Sequence, residues 1–186
     1  MKRKLLFVAV LLLVFACDLP WSFDDFQPTG TPFNLNPAIE LKSITGSLRH
    51  FSPVGQFALD LTAKSRTDTT AGDVLPAGLL FTSPRNTTQH MVMLKDHIIR
   101  VRAESVLVAG VFCCNERRAV PGPDDHLTLG PLTDNSGLRQ IAELVRHKNI
   151  SGSLALVQRA VWMVTDSSGL NQAYIDSLNA LPAEGL

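Results

Sequence analysis

Cysteine is scarce in this chain: three in 186 residues, two of them adjacent, too few for a disulfide framework, so a folded domain has to be held by its core. Aromatic residues make up 6% and there is a single tyrosine. Charge is sparse and balanced, with seventeen Lys and Arg against seventeen Asp and Glu. No basic run gives the electrostatic footprint expected of a nucleic-acid partner. No apolar stretch approaches the roughly 20 residues that a spanning helix needs. Also missing are G-x-S-x-G, H-E-x-x-H and a glycine-rich phosphate loop, so neither conventional hydrolysis nor nucleotide chemistry is indicated, and no cofactor or metal is implied. There is no internal repeat and no low-complexity tract.

What is present begins at the N-terminus. Lys2, Arg3 and Lys4 precede an unbroken apolar run of twelve residues, Leu5 to Ala16, which ends at Cys17. The run is too short to span a bilayer and its flanks are those of a signal peptide. Val14-Phe15-Ala16-Cys17 resembles the lipobox of bacterial lipoproteins. That resemblance implies cleavage after residue 16 and acylation of Cys17, palmitate being one expected acyl group. The mature chain would then be fastened by lipid to a bacterial membrane outside the cytoplasm, on the periplasmic side or at the cell surface. Each buried CH₂ of an acyl chain contributes about 0.8 kcal/mol, so several chains hold firmly. Asp18 resembles the inner-membrane retention signal of enteric bacteria. Without Lys2, Arg3 and Lys4, fourteen basic residues face seventeen acidic ones.

Residues 17–37, rich in Pro, Gly and polar side chains and without helical period, read as a tether following the lipidated cysteine. Trp21, Phe23, Phe26 and Phe33 within it either pack on the domain or touch lipid. Residues 38–186 read as one α+β domain, with an antiparallel sheet or sandwich first and about three packed helices after it. From Ala38 to Cys114 the pattern is that of four to six short strands. Phe57 to Ala63 alternates, Val74 to Phe81 is apolar around the turn-prone Pro76-Ala77-Gly78, and Met91 to Leu94 and Ile98 to Val101 flank Lys95-Asp96-His97. Val106 to Cys114 is apolar on both faces, which predicts a central strand. Arg117 to Asp134 reads as a loop. Beyond it the period turns helical, with stripes at Leu138, Ile141, Ala142 and Val145, then Leu154 to Val164, then Leu170, Tyr174 and Leu178 up to Pro182.

One residue interrupts the second helical stripe. Gln158 falls between Leu154 and Val161 on one side and Trp162 on the other, with Arg159 outside the face. A buried amide without partners costs about 1 to 3 kcal/mol, so Gln158 requires either hydrogen bonds, as many structural glutamines have, or a covalent reason to be there. Phe112-Cys113 at the end of an apolar strand, followed by Val157-Gln158-Arg159-Ala160-Val161-Trp162 and Thr165-Asp166, resembles the thioester domains of bacterial surface adhesins, in the same motif order. The resemblance implies that Cys113 supplies the sulfur and Gln158 the acyl carbon of an internal thioester, with Phe112 and Trp162 shielding it from water. Such a bond would join Gln158 once to an amine-bearing ligand, a surface protein or a polyamine, which is single-turnover attachment in adhesion and not enzymatic turnover. The alternative is a non-covalent structural or interaction lipoprotein in which both residues are core.

Cys114 leaves two further readings open: a strained vicinal disulfide with Cys113, and a metal site with Cys113 and His126 that lacks the two-residue gap of gripping thiolates. His50, His90, His97 and His147 are scattered and read as solvated or structural. The sequons at Asn86 and Asn149 read as chance in a bacterial chain.

Overall fold

The computed structural model describes residues 26–166 and 169–185; Cys17 and the leader lie outside them. The fold is α+β, as the change of period near residue 135 predicts. Among the described residues nine strands are followed by three helices: β1 (Gly30–Pro32), β2 (Ile39–Gly46), β3 (Phe57–Ser65), β4 (Ala71–Leu75), β5 (Leu79–Thr82), β6 (Met91–Val92), β7 (His97–Val101), β8 (Ser105–Cys113), β9 (Thr128–Thr133), α1 (Ser136–Val145), α2 (Leu154–Asp166) and α3 (Gln172–Asn179). Seven strands form one sheet in the order β1-β9-β5-β6-β8-β3-β2, and β4 and β7 form a separate two-stranded ribbon. Every strand pair is antiparallel.

The period-2 alternation of the strands sorts their side chains into two cores, one on each face of the large sheet. Leu59, Leu61 and Ala63 of β3, Leu79 and Phe81 of β5, and Ala109, Val111 and Cys113 of β8 share one core with Leu75, Ile99 and Val101 of the ribbon. Leu80, Val92, Phe112 and Cys114 face the other way and meet Leu138, Ile141 and Val145 of α1, Val157, Ala160 and Val161 of α2, and Leu178 of α3. The sheet is thus covered on both faces, by the ribbon and by the helices. Its central strand β8 is paired on one side with β3 and on the other with β6, the position that its two-faced apolar run predicts. The Ser105 end of β8 runs out of cover, and Val106 is half exposed.

Local chemistry fixes the joints. Pro76 O accepts from Leu79 N at 3.1 Å around Gly78, whose φ of +88° suits the third position of a type II turn. Asn135 Oδ1 accepts from Leu138 N and Asn171 Oδ1 from Tyr174 N, N-caps that start α1 and α3. Gly137 lets α1 lie against α2: a Cβ there would meet Val164 Cγ1 at 2.6 Å.

Three parts of the chain differ from the sequence pattern. Ala38 to Cys114, expected to hold four to six strands, holds seven, β2 to β8, because the turn at Pro76-Ala77-Gly78 divides its apolar run into β4 and β5 and the two-residue β6 is too short to leave a pattern. Residues 26–37, expected within the tether, belong to the domain. Phe26 is buried in the helix-side core, β1 pairs with β9, and Asn36 N donates to Asp73 Oδ2 at 2.7 Å. The aromatic side chains decided the matter, because Phe26 and Phe33 both find apolar cover on the domain. The expected loop Arg117–Asp134 contains β9, an interior strand of the large sheet despite Gly130 and Pro131.

Candidate functional site

β3 ends its pairing with β8 at Phe57 opposite Val111. The next outward-facing backbone groups of β8 on that edge, the N–H and C=O of Cys113, therefore have no strand to meet. Gln158 takes the place of one. Cys113 N donates to Gln158 Oε1 at 2.9 Å, and Gln158 Nε2 donates to Cys113 O at 2.8 Å. The carboxamide reproduces the donor and acceptor of a peptide group and extends the ladder by one rung. Both residues are buried, Cys113 completely and Gln158 to within 3% of its surface.

Helix α2 reaches this edge because its stripe is split between the two cores. Val157, Ala160 and Val161 pack into the helix-side core, while Trp162, one turn beyond Gln158, packs against the ribbon-side core that holds the Cys113 side chain. Gln158 lies at the seam between them. Phe112 and Cys114 are on the helix-side face, so Phe112 covers the Cys113 backbone from the face opposite its sulfur and Trp162 packs on the sulfur's side. The indole Nε1 of Trp162 is buried without a hydrogen-bond acceptor.

Cys113 and Cys114 are both free thiols with side chains on opposite faces of the strand. Burial pushes the Cys113 thiol far above its ordinary value. It does the same to Cys114, helped by the neighbouring Cys113 and Asp166. Neither is a thiolate at neutral pH, so any chemistry at Cys113 starts from the neutral S–H. Among the described residues no group of three or more His, Cys, Asp or Glu side chains gathers as a metal set. No helix among them is long and apolar enough to cross a membrane.

The end of α2 is tied to the chain just past the two cysteines. Asp166 Oδ2 accepts from Glu116 N at 2.8 Å, and Arg159 Nη1 pairs with Glu116 Oε1 at 2.9 Å on the surface. Deeper in, the side chains of Gln89 and Asn115 each accept a backbone N–H across the two segments: Asn115 N donates to Gln89 Oε1 at 3.2 Å, and His90 N donates to Asn115 Oδ1 at 3.2 Å. The sequence pattern does not single out these buried amides. A signal existed in Gln89-His90 directly before the apolar Met91 to Leu94, polar residues at the mouth of a buried strand. His90 itself is buried, and its Nδ1 accepts from Ser83 N at 3.1 Å, a structural role.

The structure thus brings Cys113, Gln158 and Trp162 to one seam, with Phe112 behind the strand; Cys17 lies outside the described residues. Compared with family models, with curated proteins and with solved structures, the chain finds no match.

Proposed function

We propose that this chain is a membrane-displayed lipoprotein, anchored through Cys17, whose domain carries an internal thioester between Cys113 and Gln158 and uses it to attach once to an amine-bearing ligand. The observation that carries the reading is the contact of the buried Gln158 carboxamide with the backbone of Cys113 itself.

That contact suits the chemistry. As the Cys113 thiol adds to Gln158 Cδ, negative charge develops on Oε1, which already accepts the Cys113 N–H and so meets a preorganised donor. Nε2, held by Cys113 O, takes the thiol proton and leaves as ammonia; the S–C bond forms and the C–N bond breaks. Burial disfavours a thiolate here but does not penalise a neutral thioester, so the covalent state is electrostatically at ease in the site. Water is excluded by the packing on both faces, which protects an activated acyl group from hydrolysis. Attack by an amine then returns the sulfur as a neutral thiol and leaves an amide on Gln158.

The test is the mass of the full-length protein, taken intact and after proteolysis under non-reducing, near-neutral conditions. The expected result is a protein lighter by one ammonia, restored to full mass by Cys113→Ala and by Gln158→Ala. Methylamine should add once, on Gln158, and free the Cys113 thiol. A non-covalent lipoprotein is the reading that the two hydrogen bonds favour on their own account, since they give both Oε1 and Nε2 of the amide a partner. Full mass with no amine uptake would leave that reading alone.

A further inference from the structure

Phe26 is a fixed point of the domain. Its ring is buried in the helix-side core, and its carbonyl accepts from Asn115 Nδ2 at 3.5 Å, two residues past the end of β8. Only the eight residues Asp18 to Asp25 separate it from Cys17. Nine peptide steps reach at most about 30 Å at full extension, less than the roughly 40 Å width of a domain of this size. A domain acylated at Cys17 is therefore held beside the bilayer, and its nearest surface has lipid as a neighbour.

The connection between β2 and β3 opens toward the same end of the sheet. It closes at Phe57, opposite Val111, which lies about 13 Å before Asn115 along the line of β8. Residues 47–57 hold no acidic side chain, although the whole chain has seventeen. Leu48 is 76% and Phe51 93% exposed, the two most exposed large apolar side chains among the described residues, and the exposed Arg49 and His50 stand between them. The chain holds them in this position. Ser47 Oγ accepts from Arg49 N at 3.3 Å and from His50 N at 3.0 Å, and His50 Nδ1 lies 2.7 Å from Asp60 Oδ1. Gly55 sits so near β8 that a Cβ there would stand 2.2 Å from Val111 N. Beside Phe51, a pocket of about 500 Å³ walled by Pro53, Ala58 and Leu154 continues the apolar surface to the start of α2.

Resting on the Cys17 anchor proposed above, and independent of any thioester, we infer that the loop tip at Leu48 and Phe51 enters the same bilayer as the acyl chains. The tip has the chemistry of an interfacial wedge. Its leucine and phenylalanine gain by leaving water, Arg49 can keep its guanidinium among the headgroup phosphates, and the lack of carboxylates spares the loop repulsion from an anionic leaflet. A single exposed apolar residue would mean little. Here two stand three residues apart on one hydrogen-bonded turn, toward the end of the sheet where the chain from Cys17 is fixed. Attachment at both points sets the orientation of the domain: the end of the sheet where β8 finishes faces lipid, and the opposite end, with residues 66–70 and 102–104, faces away.

The experiment places the intact acylated protein in vesicles of phosphatidylethanolamine and phosphatidylglycerol, some of whose lipids carry a nitroxide quencher just below the headgroup. A polarity-sensitive thiol-reactive fluorophore is attached at Leu48→Cys or, at the far end of the sheet, at Ala103→Cys; Cys113 and Cys114 are buried and leave the label to the new thiol. The probe at 48 should shift to the blue and lose about half or more of its intensity to the lipid quencher, as a group about 5 to 10 Å into the interface does, while the probe at 103 should do neither. Phe51→Ser, a change on a solvent-exposed ring, should cut the quenching at 48 by about twofold or more. A probe at 48 that stays in water while Cys17 carries its acyl label overturns the loop contact and leaves the anchor standing. A blue shift that the lipid quencher does not touch and that grows with protein density marks contact with a second copy of the chain, and overturns it as well. A protein with no acyl label on Cys17 overturns the anchor and the loop contact that rests on it.

Discussion

The rung that Gln158 adds to β8 has a worth that can be measured apart from any covalent bond. In a Cys113→Ala background no thioester can form, yet the backbone N–H and C=O of residue 113 still face the Gln158 carboxamide. Gln158→Leu in that background keeps the volume and removes both partners. Two backbone groups are then left unsatisfied in a site that admits almost no solvent, Gln158 itself being 3% exposed. At about 1 to 3 kcal/mol for each group the expected loss is about 2 to 6 kcal/mol, offset in part by the easier burial of leucine. That is a large share of a typical domain's stability of about 5 to 15 kcal/mol. The assay is urea unfolding of the chain from Asp18 onward, comparing the single and double variants. The midpoint should fall with no change in slope. A loss below about 1 kcal/mol would show that the carboxamide is not replacing a strand, and the account of the seam would fail with it.

Three other perturbations test separate parts of the argument. Cys17→Ala should abolish metabolic labelling with radioactive palmitate and leave the precursor unprocessed; continued labelling would sink the lipid anchor. Phe26→Ala should cost about 3 kcal/mol in thermal or urea unfolding, because Phe26 is buried in the helix-side core, whereas a loss under about 1 kcal/mol would return residues 26–37 to a tether. Burial holds the His97 imidazole below its ordinary value of 6.5, so the unfolded chain takes up the proton first. Stability should therefore be full above about pH 7, decline as pH falls through the unfolded value, and level off below the folded one; His97→Asn should remove that decline, and an unchanged pH profile would contradict it.

The fold was legible where residue pattern and environment coincide. Leu59, Leu61 and Ala63 alternate in sequence because one face of β3 meets the ribbon, and the two-faced run of β8 is apolar because ribbon and helices cover it from opposite sides. The helical stripes were legible for the same reason, each being the trace of one core contact. β9 was not. Its sequence, Thr-Leu-Gly-Pro-Leu-Thr, holds a glycine and a proline where an interior strand ordinarily has neither. Proline at 131 is tolerated opposite Pro32 of the short edge strand β1, so few ladder bonds are lost there. Glycine at 130 is required, because a Cβ would meet Leu80 O at 3.0 Å and Thr82 Cγ2 at 2.8 Å. Both reasons are properties of neighbours far away in the chain. β1 itself, three exposed residues, carries no pattern of its own and forms because β9 is there to pair with it.

At the candidate site, sequence alone could say that Gln158 needed partners but not which ones. A polar residue inside an apolar stripe announces a buried hydrogen-bonding need, and the amide's demand for both a donor and an acceptor can be counted from its chemistry. The supply depends on where β3 stops. Had β3 begun two residues earlier, its backbone would have met Cys113 and a glutamine at 158 would have had no vacancy to fill. The chain instead leaves the sheet at Gly55, which packs on the Val111 backbone, and that departure opens both the rung for Gln158 and the pocket beside it. The same short strand thus accounts for a buried amide against a cysteine and for a solvent-facing cleft one helical turn away. Structural satisfaction and covalent use are therefore compatible at this seam: the hydrogen bonds that hold the carboxamide in the free-thiol state are the ones that would orient it for attack by sulfur.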